Sequence, residues 1–225
     1  MTGPERSLEE LTAFVRERTA PAPVALLPEL RLYQATDVTP LWHATWEELR
    51  GWDDSPYWAF PWAGGQALAR HLLDHPELVR GRRVLDFATG SGLVAIAAAR
   101  AGAASVRALD VDPFCAAVVP LNAALNGVSV EVAIADPLDA PLPDVDLVSA
   151  GDVFYERALA ERALTWFQAL AAAGVAVLCG DPGRTYSPRD TLPEVAAYDV
   201  PTSLAIEEQT QRRTAVLAVL PPPPG

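Results

Sequence analysis

The chain has 225 residues, of which half are hydrophobic and a fifth are charged, a composition typical of a folded globular protein and not of a disordered one. This length predicts one full-sized domain with an extension. The net charge is −12, and all 17 basic residues are arginines. An acidic chain is a poor candidate for nucleic-acid binding. The absence of lysine excludes a Schiff-base lysine and a Walker-type phosphate loop.

The cysteines and histidines give no sign of a metal site. Cys115 and Cys179 lie within apolar runs and are expected to be buried, reduced thiols. The three histidines have no ligand-like spacing, so no metal is predicted. The N-terminus lacks the basic start of a signal peptide, and no uncharged apolar run reaches about 18 residues. We therefore expect a cytoplasmic protein with neither a membrane partner nor a nucleic-acid partner.

Residues 1–55 differ in composition from the rest and are predicted to form an N-terminal helical cap. A short amphipathic helix is expected over Leu8–Arg18, followed by a proline-rich link. Five of the six tryptophans fall between Trp42 and Trp62, which favours packing of the cap on the main domain. The next helix is predicted over Gly64–Leu78. The link and the tryptophan-rich segment contain Pro21, Pro23, Pro28, Trp42, Trp46 and Trp52.

From Arg83 onward, short apolar runs alternate with helical stretches. This alternation indicates an α/β fold with a Rossmann-like, doubly wound, mostly parallel sheet. The tail, Tyr198–Leu220, has the pattern of a hairpin with its turn around Gln209–Arg213, which predicts seven strands with an antiparallel last strand. The main domain is expected over residues 56–221, with a proline-rich tail at 222–225. Strands are predicted at Val84–Phe87, Val106–Val111, Val130–Ala135, Asp146–Ala150 and Val175–Cys179, and helices at Val94–Arg100, Pro113–Asn126 and Arg157–Ala173.

An aspartate lies at or just after the end of each predicted strand, where an open parallel sheet binds its ligand. After the first strand, Gly90-x-Gly92-x-x-Ala95 satisfies the dinucleotide fingerprint, and Asp110 lies 20 residues beyond Gly90. Glycines there allow the backbone to approach a ligand, and Asp110 would bind a ribose diol. Both a nicotinamide enzyme and an S-adenosylmethionine enzyme need this arrangement, so the loop alone leaves both open.

Three features favour S-adenosylmethionine. Asp86 lies four residues before Gly90, where a carboxylate orients the loop and attracts a cationic amino-acid tail but repels a pyrophosphate. Asp136 is positioned to accept from an adenine amino group. The chain is also too short for the second domain that hydride-transfer enzymes usually carry. Alternatives stand beside these interpretations, since Asp112 could cap the helix that begins at Pro113 and Asp136 could form a turn.

These motifs resemble the class I S-adenosylmethionine-dependent methyltransferases. The resemblance is closest to the electron transfer flavoprotein beta-subunit lysine methyltransferase group, whose bacterial relatives are often labelled nicotinamide N-methyltransferase-like. It extends from about Leu30 to Leu220. The segments that carry it are Pro56-Tyr57-Trp58-Ala-Phe60-Pro61-Trp62-Ala-Gly64-Gly65, Leu121-Asn122, Leu125-Asn126, Gly151-Asp152-Val-Phe154-Tyr155 and Gly180-Asp181-Pro182-Gly183-Arg184.

The resemblance implies a protein-lysine N-methyltransferase with S-adenosylmethionine as cofactor and a substrate such as the electron transfer flavoprotein beta subunit. A small-molecule N-methyltransferase and a nicotinamide-dependent oxidoreductase stay open as alternatives. Ala88 stands where the family usually has a loop glycine, and Pro137 where relatives often have an aromatic residue. The implied catalytic residues are Asp152 and Tyr155, and the implied cofactor-binding residues are Trp62, Asp86, Ala88, Gly90, Gly92, Asp110, Asp136 and Gly151.

The implied chemistry needs an unprotonated amine. A lysine amine has a pKa of about 10.4 in water, and desolvation by Trp58, Phe154 and Tyr155 would lower it. Asp152 would orient the amine by hydrogen bonding and is not an obligatory base, because a neighbouring carboxylate raises the pKa of the amine. The aspartates at the strand ends would gather negative charge on one face. That face would attract a sulfonium cofactor and a protein that presents its lysine in a basic segment.

Overall fold

The computed structural model describes residues 7–35, 41, 55–202 and 209–222; Trp42, Trp46 and Trp52 of the expected cap lie outside these ranges, as do residues 223–225 of the tail. The described helices are α1 (Leu8–Arg18), α2 (Ala63–Asp74), α3 (Leu93–Arg100), α4 (Cys115–Leu125) and α5 (Arg157–Ala172), with short 3-10 turns at Tyr57–Ala59 and Pro76–Leu78. The described strands are β1 (Ala20–Val24), β2 (Leu27–Gln34), β3 (Arg83–Phe87), β4 (Ser105–Asp110), β5 (Glu131–Ile134), β6 (Leu147–Gly151), β7 (Ala176–Asp181), β8 (Glu194–Pro201) and β9 (Gln211–Ala218).

Strands β3 to β9 form one seven-stranded sheet in the order β5-β4-β3-β6-β7-β9-β8. Strands β3 to β7 are parallel to one another, whereas β9 pairs antiparallel with both β7 and β8. The predicted fold class is therefore confirmed, including the antiparallel last strand. The order reverses between β3 and β6, which places a crevice at their carboxyl ends.

The central strands are largely apolar because helices cover both faces of the sheet. Val84 packs into a cluster with α1 to α4 and the β1–β2 hairpin. The next residue, Leu85, points the other way and packs into a cluster with α5. Alternate side chains of a strand face opposite sides, so the sheet lies between two hydrophobic layers.

The N-terminal segment confirms one expectation and corrects another. Helix α1 covers the predicted residues and begins with a capping box between Ser7 and Glu10. The expected proline-rich link is wrong, because its residues form an antiparallel hairpin of β1 and β2. Pro21 and Pro23 are tolerated because β1 is an edge strand whose outer side needs no ladder hydrogen bond.

Two asparagines of α4 attach the hairpin to the main domain. Tyr33 N donates to Asn122 Oδ1 at 2.7 Å, and Arg31 N donates to Asn126 Oδ1 at 3.1 Å. Asn122 Nδ2 in turn donates to Ser91 O at 2.8 Å, within the loop after β3. Asn122 and Asn126, the C-cap residue of α4, are four residues apart. This spacing places both amides on the same face of the helix, toward the hairpin.

Most predicted boundaries agree with the structure to within two residues, but two regions differ by more. The helix expected over Gly64–Leu78 ends at Asp74, since Pro76 disfavours helical backbone in the residue before it and a 3-10 turn follows. The tail turn expected around Gln209–Arg213 is also displaced, because β9 already begins at Gln211. Thr202 N donates to Thr210 O at 3.0 Å, so pairing starts before the predicted turn ends.

Candidate active site

A cavity of about 670 Å³ opens at the carboxyl ends of β3, β4 and β6. This position is the switch point of the strand order, where open α/β sheets bind ligands. Nine of the ten predicted site residues line it, and the tenth, Gly92, packs against Val119. The structure thus brings the predicted residues together, while their ligand contacts stay predictions.

Asp86 is the buried carboxylate of the site, with 1% of its surface exposed. Thr89 Oγ1 donates to its Oδ2 at 2.6 Å, and Ser149 Oγ donates to its Oδ1 at 2.8 Å. Ala95 N, in the first turn of α3, also donates to Oδ2 at 3.2 Å. Burial raises the pKa of Asp86 to about 6, and these three hydrogen bonds oppose that rise. Asp86 therefore orders the loop and connects it to β6 and α3.

The loop between β3 and α3 has left-handed backbone at Ala88 (φ 52°), Gly90 (φ 51°) and Gly92 (φ 80°). The glycine that Ala88 replaces in the family pattern would adopt this conformation without strain. A Cβ on Gly90 would make only ordinary contacts at 4.0 Å, whereas one on Gly92 would lie 2.9 Å from Val119 Cγ1. Gly90 thus leaves the cavity wall open, and Gly92 serves the packing of α3 on α4.

Asp110 lies at the end of β4, and its carboxylate joins the glycine loop after β3 to the residues that follow β4. Gly90 N donates to its Oδ2 at 2.8 Å, while Val111 N and Asp112 N donate to its Oδ1 at 2.8 and 3.0 Å. Asp112 Oδ1 accepts from Phe114 N at 2.8 Å, just before α4. That bond ends at Phe114, the N-cap residue of α4, so it forms a turn before the helix, and the suggested capping role of Asp112 stays a prediction. Asp110 is held in a fixed orientation beside the glycine loop.

Asp136 forms a turn with Leu138, which the sequence had left as an alternative to ligand contact. Leu138 N donates to Asp136 Oδ1 at 3.0 Å, and Arg162 Nη2 donates to Oδ2 at 3.1 Å. The Leu138 N–H, followed by the Arg162 guanidinium, holds the pKa of Asp136 below its ordinary value. Asp136 nevertheless lines the cavity, so the turn and ligand contact are compatible.

Glycines allow the first turn of α2 to pack against the sheet backbone to backbone. A Cβ on Gly180 would lie 2.0 Å from Gly64 O, and one on Gly64 would lie 2.3 Å from Gly180 O. A Cβ on Gly151 would lie 2.8 Å from both Cα and N of Gly65. Gly151 was predicted to bind the cofactor, and its place at the cavity also has this packing reason.

Asp152 caps α2 from outside the helix. Gly65 N, the third N–H of α2, donates to Asp152 Oδ2 at 3.1 Å. The N-cap residue is Trp62, whose indole has no oxygen to accept this bond, so Asp152 takes the role of an N-cap. Asp152 has a φ of 57° and is 8% exposed. A strained, buried aspartate facing a cavity is typical of functional sites.

Arg184 is the residue that the sequence analysis missed. Its Nε and Nη2 donate to Asp152 Oδ1 at 2.9 and 2.6 Å, and its guanidinium lies 5.5 Å from the ring centre of Trp62. The sequence carried a signal for it, because Asp181 and Gly183 mark a turn after a strand and Arg184 ends that motif. The motif gave no role to Arg184, since its partner lies 32 residues away.

Aromatic rings line the cavity mouth. The ring centres of Tyr57 and Tyr155 are 5.5 Å apart, and those of Tyr57 and Trp62 are 5.8 Å apart. Trp62 Nε1 donates to Tyr57 O at 3.0 Å. Tyr155 is 44% exposed. Of the two other predicted channel walls, Trp58 is buried but lines the cavity, whereas Phe154 is buried in the core. The exposed wall is therefore formed by tyrosines and Trp62.

The comparisons with known proteins identify the family of the chain. The family model of ribosomal protein L11 methyltransferase (PrmA) matches residues 68–177. The electron transfer flavoprotein beta subunit lysine methyltransferase of Rattus norvegicus is 38% identical, over 85% of this chain and 77% of the rat protein. That of Mus musculus is 37% identical, over 92% of this chain and 83% of the mouse protein. This chain belongs to the electron transfer flavoprotein beta subunit lysine methyltransferase family.

The chain is thus a lysine methyltransferase with S-adenosylmethionine as its cofactor, as predicted. The fold has a similar solved structure in Thermoplasma acidophilum 1320, with a TM-score of 0.51 and 15% identity over 70% of this chain and 88% of that chain. That similarity concerns the fold alone.

The residues at the cavity suit this cofactor. A sulfonium is a cation, and carboxylates outnumber arginines along the cavity wall. The volume is within the range of about 300 to 1,000 Å³ usual for small-molecule sites. Within the described ranges, no three His, Cys, Asp or Glu side chains are grouped to hold a metal ion, and no helix is long and apolar enough to cross a membrane. The charged lining residues are Asp86, Asp110, Asp112, Asp136, Asp152, Glu156, Arg162 and Arg184.

Proposed function

We propose that this methyltransferase acts on a lysine side chain of the beta subunit of an electron transfer flavoprotein. The observation that carries the proposal is the identity of 37–40% to three mammalian relatives named for that substrate. The site is consistent with it, because the cavity mouth is open and aromatic, as a channel for a long aliphatic side chain requires.

The proposed cofactor contacts divide between residues that touch the ligand and residues that shape the loop. Asp110 would accept from the ribose hydroxyls, since backbone N–H groups already orient its carboxylate. Asp136 would face the adenine, and Trp62 would close the pocket from the α2 side. Asp86 would act through the loop that it orders, because its two oxygens accept from Thr89, Ala95 and Ser149. When bound, the cofactor supplies an electrophilic methyl group on a sulfonium.

On the acceptor side, this chain's residues would bind, desolvate and aim a neutral amine. Tyr57 and Tyr155 would exclude water from the aliphatic chain, and exclusion of water favours an uncharged amine over an ammonium. Asp152 would accept a hydrogen bond from the amine and direct its lone pair into the cavity. Positioning of this kind supplies roughly 7 to 11 kcal/mol of a barrier reduction.

The lysine is proposed to lie in a basic segment of the partner. Six carboxylates line the cavity, against two arginines, so the mouth has a negative potential that steers a basic surface toward it. Action in the cytoplasm belongs to the same proposal and is supported by two free, buried cysteines, Cys115 and Cys179.

The test uses purified electron transfer flavoprotein, the enzyme and S-adenosylmethionine, followed by intact-mass analysis of both flavoprotein subunits. We expect mass increases of whole methyl groups on the beta subunit, located to lysine by peptide mapping. Asp152→Asn is the matched control and should bind S-adenosylhomocysteine while adding few methyl groups. An unmodified beta subunit, together with tight S-adenosylhomocysteine binding and methylation of a small amine, would transfer the assignment to a small-molecule methyltransferase.

A further inference from the structure

The Asp152 carboxylate is held from two opposite sides, each of which binds one oxygen. Gly65 N donates to Oδ2 at 3.1 Å, and the Arg184 side chain donates twice to Oδ1, at 2.9 and 2.6 Å. The guanidinium is 17% exposed and the carboxylate 9% exposed, so water screens the pair weakly. The orientation and the electrostatic environment of Asp152 both depend on Arg184.

The loop after β7 is built to present Arg184 at this point. Asp181 is fully buried, and its carboxylate accepts from Gly183 N at 2.9 Å and from Arg184 N at 3.2 Å. Gly183 has a φ of 87°, a left-handed conformation that lets the chain turn back toward β6. The backbone of Arg184 is therefore fixed before its side chain reaches Asp152.

The same guanidinium also contacts the aromatic rim. It lies 5.5 Å from the ring centre of Trp62, within the range of a cation–π contact. Trp62 Nε1 donates to Tyr57 O at 3.0 Å, and the Tyr57 ring packs 5.5 Å from that of Tyr155. One arginine thus links the carboxylate at the base of the proposed amine channel to the rings at its mouth.

A lysine methyltransferase faces an electrostatic conflict at this carboxylate. A carboxylate that accepts from the amine orients it, but it also favours the ammonium, which has no lone pair for attack. We propose that Arg184 is a positioning residue that offsets the negative charge of Asp152, so that Asp152 orients the lysine amine without holding it in its protonated form. This inference rests on the proposed lysine-methylating function and assigns Arg184 a role in it.

The other charged and titratable groups around the pair are the same in wild type and in an Arg184 variant, so they are the background against which a change in pH dependence is read. The first turn of α2 carries no acidic side chain, and its Gly65 N–H donates to Asp152. The described charged and titratable groups on the elements packed around the pair are Asp181 and Arg189 from the loop after β7, Glu156 before α5, Asp86 at the end of β3, Tyr155, and Tyr57 before α2.

The test compares pH profiles of kcat for wild type, Arg184→Gln and Arg184→Lys. In Arg184→Gln, the acid limb should move up by about one pH unit, which lowers kcat about tenfold near neutral pH and restores it in alkaline buffer. Arg184→Lys keeps the charge and should keep the wild-type limb. A purely structural role predicts instead the same loss at every pH, and that result would overturn the inference.

A double variant separates an effect through Asp152 from a direct one. In an Asp152→Asn background, Arg184→Gln should cause no shift of the limb, because the charge that Arg184 offsets is gone. An equal shift in both backgrounds would show that Arg184 acts without Asp152. Thermal unfolding and S-adenosylhomocysteine binding are measured for every variant, so that a folding defect is recognised as such.

A measurement without substrate distinguishes failure of this inference from failure of the proposed function. The Asp152 carboxyl, assigned by its loss in Asp152→Asn, is titrated by NMR in aspartate-labelled protein. It should titrate at higher pH in Arg184→Gln than in wild type, because a neighbouring positive charge has been removed. If wild type leaves the flavoprotein unmethylated, the proposed function fails. Identical titration in both proteins overturns the inference about Arg184, whichever substrate the enzyme uses.

Discussion

The two sides of the cavity are assembled in different ways. On the β3–β5 side, which comprises Asp86, Asp110 and Asp136, half of the carboxylate hydrogen bonds come from residues one to three positions along the chain. On the β6–β7 side, which comprises Asp152 and Arg184, the bonds that hold the Asp152 carboxylate join residues 87 and 32 positions apart. Each carboxylate of the first side thus has at least one local loop contact, while the Asp152 contacts exist only once α2, β6 and β7 have packed together. Changes to α2 packing should therefore damage the β6–β7 side first.

The largest expected effect comes from Gly64→Ala, which disrupts the packing of α2 against β7. The new Cβ would lie 2.3 Å from the backbone atom Gly180 O and 2.8 Å from Asp152 N, and 2.5 Å from Asp152 Oδ2, which the Gly65 N–H holds in place. We expect a loss of about 3 kcal/mol or more in the free energy of unfolding, because overpacking against backbone forces the elements apart. Urea denaturation measures this loss, and methyl transfer should fall with it.

The neighbouring glycine provides the matched control. In Gly65→Ala, the Cβ would meet only Val94 Cγ2 at 3.9 Å, and the N–H that Asp152 accepts is retained. An alanine inside a helix should stabilise α2 by about 0.5 to 1 kcal/mol relative to glycine. Equal destabilisation by the two variants would contradict the backbone contact between α2 and β7.

The next prediction contrasts cofactor binding on the β3–β5 side with turnover on the β6–β7 side. Asp110→Asn should weaken S-adenosylhomocysteine binding, since Asp110 is the proposed ribose contact. Asp152→Asn should leave that binding intact and lower kcat about 100-fold, equivalent to roughly 2.7 kcal/mol of activation free energy. Calorimetry measures the first change and a radiolabel transfer assay the second. Loss of cofactor binding in Asp152→Asn, or unchanged turnover, would contradict the proposal that the β3–β5 side binds the cofactor and the β6–β7 side serves the transfer step.

A smaller effect is expected in the pH dependence of stability, and it tests the β3–β5 side. Burial raises the pKa of Asp86 to about 6, above the ordinary value of 3.8. An acid with a raised pKa in the folded state favours folding while it is protonated, and this contribution is lost as pH rises from about 4 to 6. Relative to Asp86→Asn, the wild type should therefore gain about 2 kcal/mol between pH 7 and pH 4. Parallel stability curves for the two proteins would show that Asp86 titrates as it does in water.

The same contrast explains how much the sequence could predict. The β3–β5 side was accessible because Asp86, Gly90 and Asp110 mark strand ends and a loop by local spacing, and the sheet followed from alternating apolar runs. Arg184 was not, because no spacing along one chain tells which of the six arginines downstream of Asp152 reaches it. The β1–β2 hairpin was missed for a related reason. Pro21 and Pro23 argue against a strand locally, and only the asparagines of α4 fix the hairpin in place.

The smallest predicted effect concerns Ala88, where the loop departs from its family pattern. Its φ of 52° strains an alanine by about 1 to 2 kcal/mol, and glycine would remove that strain. Glycine also gains more entropy on unfolding, which offsets about 0.5 to 1 kcal/mol of the benefit. Ala88→Gly should therefore stabilise the protein by at most about 1.5 kcal/mol in urea denaturation. Ala69→Gly, inside α2 and buried, is the control and should destabilise by about 1 kcal/mol or more. A loss of stability in Ala88→Gly would mean that the alanine methyl group contributes packing that outweighs its backbone strain.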